Sequence, residues 1–500
     1  MKKRRDEIMK KRYLIICIIM NLLALVLIPV NLYLFAMPEW MSLLFDILAT
    51  AFLLVFFLKG RGKWLSKSIL SILLILTIGI SLFGTYCNPY WNSYNFRGFP
   101  YSEAYDTVLT YEQAKADLDY CLHYVKKNHP LFMNEVPDEV QQRYEKAIEE
   151  LQKAEQIDVT LVWQKCQNIL SVLEDGHTCA YPNYYYGNEH YLKYIKARRD
   201  AGDTLAAVNG MELSQLLEEK SDLYCYEVES WGILQLKSEL STLEGLYFLG
   251  IPVDEGVAYT YESLEGVRDT VTYYESDFVT YEEYMELNQI EDTSEEEDSF
   301  VSYTIDPERS LAVLTLEECN YNNEYCRCLQ DMFTEVKEQG IENVAVDIRD
   351  NGGGNSMVVN EFIRYLDVDT YQVDTCNWRL GIFNPSFGSG INQNQRYTDL
   401  TFRGRLYLLT SSGSFSSAMM FAEYIKDNQL GVLIGEAPGN TPSGYGDIAI
   451  FRLPHSGLYI QVSTKEFFRA DRETDDILVE PDIKCDAGEA LEYLYLELEK

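Results

Sequence analysis

Apolar positions along the chain follow three different patterns. In the first hundred residues they form nearly unbroken runs at 14–36, 41–58 and 68–86. Each run is long enough to cross the hydrocarbon core of a bilayer as a helix. The first is too long for a cleaved signal peptide, and two more follow it. From 110 to 175 the apolar residues recur at helical spacing: Leu118, Cys121, Leu122 and Val125, then Val140, Tyr144, Ala147, Ile148 and Leu151, then Leu161, Cys166, Ile169, Leu170 and Leu173. Thr110-Tyr-Glu-Gln113 fits a capping box at the start of the first of these helices. Between about 196 and 280 the pattern shortens. Residues 205–210 predict a strand entering a tight turn, and 257–275 a hairpin about Glu265-Gly266. The acid-dense stretch 282–298 reads as a solvated linker. Beyond 300, strands at 311–316, 344–348, 406–409 and 432–434 alternate with helices at 324–339, 356–366 and 417–427. That order implies an α/β unit with crossover connections.

Charge changes the picture in two ways. Lys2, Lys3, Arg4, Arg5, Lys10, Lys11 and Arg12 precede the first apolar run, and Lys59, Arg61, Lys63 and Lys67 separate the second from the third. The short turn at 37–40 carries no basic residue. The positive-inside rule then places the N-terminus inside and, after three crossings, everything beyond about residue 90 outside. Asp46, near the outer end of the second run, is close enough to the interface to reach headgroups or water. Three spans with one acid suggest an anchor and not a transporter. Overall, 42 basic against 78 acidic side chains give a net charge of -36. Residues 101–500 hold 30 of the basic and 74 of the acidic ones, a surface that repels phosphates and makes nucleic acid an unexpected partner. The 11 cysteines show neither CxxC nor zinc-finger spacing and read as small core residues.

Three stretches carry candidate chemistry. In Val344-Ala-Val-Asp-Ile-Arg-Asp-Asn-Gly-Gly-Gly-Asn355 a buried-type strand runs into three glycines and then a helix. Consecutive glycines let backbone N–H groups converge on an anion or oxyanion. A nucleotide loop fails on spacing, because GxGxxG would need glycine at Met357 and no Gly-Lys-Ser/Thr is present. In Leu406-Tyr-Leu-Leu-Thr-Ser-Ser-Gly-Ser-Phe-Ser-Ser-Ala418 a strand delivers a serine cluster to the first turn of a helix. A serine oxygen there sits near a positive helix end, although serines also simply cap helices. Gly-x-Ser-x-Gly is absent. In Leu173-Glu-Asp-Gly-His-Thr178, His177 follows a helix with an acid two residues before it, and a metal reading with Cys179 or His190 lacks a third ligand.

Asp-Gly-His-Thr, Asp-Ile-Arg-Asp-Asn-Gly-Gly-Gly, Ser-Phe-Ser-Ser-Ala, Gly435-Glu436 and Glu480-Pro-Asp482 occur here in one order. Over roughly 105–490 the chain thereby resembles the tail-specific (C-terminal-processing) serine peptidases. The resemblance implies a crotonase-like α/β catalytic domain, with a helical N-terminal segment and a β-rich insert, after the three transmembrane helices. The divisions expected are a membrane anchor at 1–100, a helical segment with the catalytic histidine at 101–195, an insert and linker at 196–299, and the catalytic domain at 300–500. It implies Ser416 as nucleophile, with backbone N–H groups of Gly353 (or Gly352) and Ser417 as oxyanion donors. Where the Ser–Lys branch carries its lysine, this chain has Thr441, and 439–446 holds no lysine. The chain looks instead like the tricorn-type branch, which pairs the serine with a histidine in the position of His177. That branch orients the histidine with an acid shortly before Pro-Asp, matched best by Asp475, with Glu473 and Asp476 as rivals. Gly176 stands where that branch has a serine beside the histidine. No metal or cofactor is implied.

The expected function is a multi-pass, membrane-embedded serine peptidase that acts on protein or peptide substrates outside the cytosol. The alternatives are a catalytically silent peptide-binding or sensing protein on the same fold, supported by the tyrosine-rich stretch 181–194, and an esterase using the same Ser–His pair. Lys426 and Lys465 are the lysines that would serve as base if His177 did not. Residues 205–210 resemble part of a PDZ module, which reads as an insert on the substrate side.

Overall fold

A computed structural model describes residues 2–59, 64–133, 137–185, 189–288, 290 and 299–500. The apolar runs form three mutually packed helices, Lys2–Tyr33, Glu39–Lys59 and Trp64–Tyr86. Within them Arg12–Tyr33 and Glu39–Leu58 are long and apolar enough to cross a membrane, whereas the third apolar stretch, Ser71–Tyr86, is shorter. Among the described residues, two helices and not the three expected are therefore candidates for crossing a membrane. Arg61 and Lys63, used above to orient the chain, lie outside the described residues. Asp46, expected within reach of water, is instead buried between the helices.

The bundle docks on the rest of the chain through its C-terminal end. Asn92, at φ +69°, accepts from the Asn31 side chain (2.6 Å) and the Met37 N–H (2.9 Å) while donating to the Tyr124 hydroxyl (2.9 Å). Trp91 Nε1 donates to the Met37 carbonyl at 3.2 Å, and Lys127 pairs with Glu39.

Helices Tyr111–Asn128, Asp138–Lys153 and Val159–Leu170 match the sequence stripes. The expected capping box is present, with Gln113 N–H on Thr110 Oγ1 (3.3 Å) and Thr110 N–H on Gln113 Oε1 (2.9 Å). Asp158 caps the third of these helices through the Leu161 N–H. The middle region is a four-stranded antiparallel sheet in the order 211–212, 204–208, 257–262, 268–273. Asn209 and Gly210 both take positive φ, the tight hairpin geometry that an Asn-Gly pair favours. The acidic stretch is not all linker: helix Tyr281–Leu287, capped by Thr280, takes its first part. Residues 291–298 lie outside the described residues.

The α/β unit is a six-stranded sheet in the order Ile483–Lys484, Val432–Gly435, Arg405–Thr410, Asn343–Asp347, Leu311–Leu316, Val301–Asp306. All neighbours are parallel except the last pair. Helices Asn323–Gln339, Met357–Ile363 and Ser417–Asp427 make the crossovers, within one or two residues of expectation for the first and third. A second, antiparallel sheet was not foreseen. Its long strands Gly444–Arg452 and Tyr459–Phe468 pair with each other, and the latter also pairs with Cys179–Tyr181 and Thr375–Trp378. One continuous apolar core joins the helices of 111–170, the middle region and this sheet, and a second lies under the six-stranded sheet. All 11 cysteines are free.

Candidate active site

Ser416 occupies the N-cap of helix Ser417–Asp427 with φ +56° and ψ -119°. A positive φ is strained for a serine and persists only where the surroundings fix it. Two contacts fix it here. Asn440 Oδ1 accepts the Ser416 N–H at 2.7 Å, and Gly353 packs so closely that an added Cβ would stand 2.6 Å from Ser416 Cβ. Gly353, at φ +102°, therefore has to be glycine twice over. The other serines of the cluster have structural work. Ser411 Oγ donates to the Arg349 carbonyl, Ser414 Oγ to the Ile348 carbonyl (2.8 Å) and Ser417 Oγ to the Gly354 carbonyl (2.7 Å).

The antiparallel sheet brings in the histidine. Pairing of Cys179–Tyr181 with Tyr459–Phe468 lays the loop that carries His177 against the serine. The His177 ring lies 4.5 Å from the ring of Phe415, the residue before Ser416. His177 and Ser416 face one cavity of about 900 Å³, lined also by Gly352, Gly354, Asn440, Thr441, Lys465 and Asp374. No hydrogen bond joins the two side chains in this structure.

The acid beside His177 is Asp175. Its Oδ1 accepts the His177 N–H at 2.9 Å and lies 3.8 Å from His177 Nδ1. Its Oδ2 accepts Ser463 Oγ at 2.7 Å and stands 3.1 Å from His129 Nε2. His129 Nδ1 accepts the Leu131 N–H at 3.2 Å, so Nε2 carries the hydrogen that reaches Asp175. Burial opposes the charge on Asp175, but the His129 hydrogen bond and both imidazoles outweigh it and hold the carboxyl at about 2. Burial lowers the His177 pKa, with Asp175 and Asp447 opposing, so the imidazole is neutral at pH 7 and able to take a proton.

A second acid was not foreseen. Glu227, from the middle region, reaches the Thr441 N–H (2.9 Å) and Oγ1 (2.5 Å) with Oε2, at the position expected of a lysine in the Ser–Lys branch. Its Oε1 is buried near the Gly176 N–H but closes no hydrogen bond, and His177 Nδ1 is equally without a partner. Burial and the charge of Asp175 push Glu227 up to about 7. Asp175, His177 and Glu227 present ligand atoms within 4.8 Å of one another. Both Asp175 oxygens and Glu227 Oε2 already accept hydrogen bonds, which leaves this cluster a poor fit for a metal.

Two expectations need correction. Asp475, Glu473 and Asp476 are exposed in the loop after Phe468 and line none of the cavity, because Arg469 fixes that loop from below through the Asp476 and Leu478 carbonyls. The Gly353 N–H is taken by Asn351 Oδ1 at 2.8 Å, whereas Gly352 and Gly354 face the cavity. Ser417 opens the helix, and its N–H has no acceptor among the described residues. Of the reserve lysines, Lys426 pairs with Asp482 away from the cavity, and Lys465 lines it but pairs with Asp447 at 2.6 Å. The signal for Asp175 was in the sequence, two residues from His177. Nothing in the sequence pointed to Glu227, 50 residues further on.

Residues 310–485 match the family model of Peptidase family S41. That stretch belongs to this family. The match indicates a serine-type peptidase, a hydrolase. The S41 stretch holds the glycine loop and Ser416, while His177, Asp175 and Glu227 come from outside it. The structure of mature CPAF complexed with lactacystin shares the fold at TM-score 0.54 and 13% identity, covering 78% of this chain and 97% of that one. The photosystem II D1 C-terminal processing protease aligns over 78% of this chain and 98% of its own at 16% identity, with a TM-score of only 0.43. No curated protein matches the chain.

Proposed function

We propose that the chain is a membrane-anchored serine peptidase, with a crotonase-like catalytic domain held outside the cytosol, that cleaves peptide bonds through Ser416 and His177. The observation that carries this reading is the strained Ser416. Ser411, Ser414 and Ser417 spend their hydroxyls on backbone carbonyls, whereas Ser416 keeps its own free among the described residues and faces His177 across one cavity.

In the reaction, Ser416 Oγ attacks the scissile carbonyl carbon and its proton passes to His177 Nε2. The tetrahedral oxyanion lies at the start of helix Ser417–Asp427, where the Ser417 N–H is uncommitted. With the Gly353 N–H tied to Asn351, the second donor falls to Gly352 or Gly354. Collapse expels the amine, which takes the proton from His177. Water then attacks the acyl-enzyme, giving its proton to His177, and Ser416 is regenerated. Asp175 holds the His177 backbone and stabilises the imidazolium, and Glu227 adds a second carboxylate on the Nδ1 side. Both are positioning residues.

Fluorophosphonate labelling of the full chain, followed by mapping of the modified residue, tests the reading. Modification at Ser416 is expected. Modification at another serine, or none with the fold intact, would overturn it.

A further inference from the structure

We propose that the hairpin tip around Ile382 and Phe383, in the catalytic domain, is a second membrane contact that rests in the bilayer interface beside the end of the third apolar helix. The proposal rests on the membrane reading of the N-terminal helices.

The strand Thr375–Trp378 turns back at 379–385 into Ser386–Phe387. The turn is well formed: Leu380 and Phe383 exchange backbone hydrogen bonds of 2.8 and 3.0 Å. At the tip, Ile382 is 82% exposed and Phe383 51% exposed, both large apolar side chains. Two such neighbours at the apex of a defined turn are costly in water.

Their position says what covers them. Gly381, at φ +62°, packs against the end of the Trp64–Tyr86 helix, so closely that an added Cβ would stand 2.9 Å from the Tyr86 carbonyl oxygen. The Phe383 and Phe83 rings lie 6.5 Å apart. Tyr86 in turn reaches the Glu39 carbonyl at the start of the second helix. The tip therefore sits at the level where all three helices end. At that level the chain also exposes Tyr33, Phe35 and Trp40, aromatic side chains of the kind that gather at a membrane–water boundary. A surface in contact with the lipid-facing end of a membrane helix lies at the depth of that end.

Charge agrees. Residues 380–395 contain no Asp, Glu, Lys or Arg, in a chain that is 24% charged with a net charge of -36. An anionic leaflet repels acidic surface, and this stretch offers none. The root of the hairpin is rigid. The buried Arg379 donates to the His129 carbonyl through its guanidinium, and its own N–H reaches the Thr464 carbonyl at 2.9 Å. The tip is thus presented to the bilayer by the same framework that holds His129, the hydrogen-bond partner of Asp175. A lipid contact at Ile382 fixes the orientation of the active site relative to the membrane.

The test uses the full chain in nanodiscs of mixed phosphatidylcholine and phosphatidylglycerol. A photocrosslinking amino acid replaces Ile382, or in separate samples Leu34 in the turn between the first two helices, or Leu264 on the middle-region hairpin. Leu264 is 85% exposed and serves as an apolar control away from the apolar helices. Lipid adducts identified by mass spectrometry are expected at 382 and 34 and not at 264. Adducts at 34 without any at 382 would overturn the proposal while leaving the membrane anchor in place. Protein-only adducts at 382 would overturn it in favour of a protein partner. Absence of lipid adducts at 34 as well would remove the membrane reading, and this proposal with it.

Discussion

Asn440 Oδ1 accepts the backbone N–H of Ser416 at 2.7 Å, and this hydrogen bond helps hold the residue at a φ of +56° that a serine rarely adopts. The strand-to-helix turn would otherwise relax, and Ser416 Oγ would leave the cavity. Asn440→Ala leaves the N–H without its acceptor, a loss of about 1–3 kcal/mol. The rate of fluorophosphonate labelling should fall about 5- to 100-fold, with circular dichroism unchanged. Asn440→Asp keeps the acceptor and should recover much of the rate. Equal labelling rates in all three proteins would refute the role.

Ser416→Ala should abolish labelling and peptide cleavage while leaving the melting temperature near that of the parent chain. Ser414→Ala should lower the melting temperature instead, since its buried Oγ bonds the Ile348 carbonyl and the Ser411 N–H. Thermal unfolding alongside labelling separates the two effects. Catalysis surviving in Ser416→Ala would end the nucleophile assignment.

The histidine pair of predictions turns on Asp175. His177→Ala should cost several orders of magnitude in kcat/KM. Because burial lowers the His177 pKa, the acidic limb of the pH profile should lie below the ordinary histidine value. Asp175 opposes that shift, so Asp175→Asn should move the limb to still lower pH as well as lower kcat. Asp475→Asn should leave both unchanged. A loss through Asp475 with Asp175→Asn active would restore the acid before Pro-Asp.

Glu227 gives a second signature near pH 7. In the folded chain burial raises its pKa to about 7, so it is neutral at pH 5 and charged at pH 8. The unfolded chain ionises it near its ordinary value. The raised pKa therefore favours folding at low pH, and that contribution is lost as pH rises through about 7. Glu227→Gln should be more stable than the parent at pH 8 and similar at pH 5, read by thermal unfolding. In activity it should remove a rise in kcat/KM centred near pH 7. Identical pH dependences of both proteins would separate Glu227 from the catalytic histidine.

Topology is checked by a reporter fused after Lys500. A reporter active only outside the cytosol should be active there. Activity of a cytosolic reporter at the same point would reverse the orientation inferred from the basic flanks.

What the sequence determined by itself was local. Helix stripes, the Thr110 capping box, the Asn209-Gly210 turn and the strand–helix alternation beyond 300 depend on short-range spacing, and they stand in the structure where the pattern put them. The glycine loop and the serine at a helix start were legible for the same reason. The motif order also pointed to the peptidase class that the 310–485 match supports. Tertiary structure decided which side chains meet. The antiparallel sheet that carries His177 to Ser416 pairs residues 179–181 with 459–461, almost 300 positions apart, and no local pattern encodes such a register. Hence Asp175 and not Asp475 stands beside the histidine, Glu227 reaches Thr441 from the middle region, and Gly353 turns its N–H to Asn351. The hairpin tip at Ile382 shows the same division. Its apolar residues were in the sequence, but only the close approach of Gly381 to Tyr86 sets them beside the end of the third apolar helix.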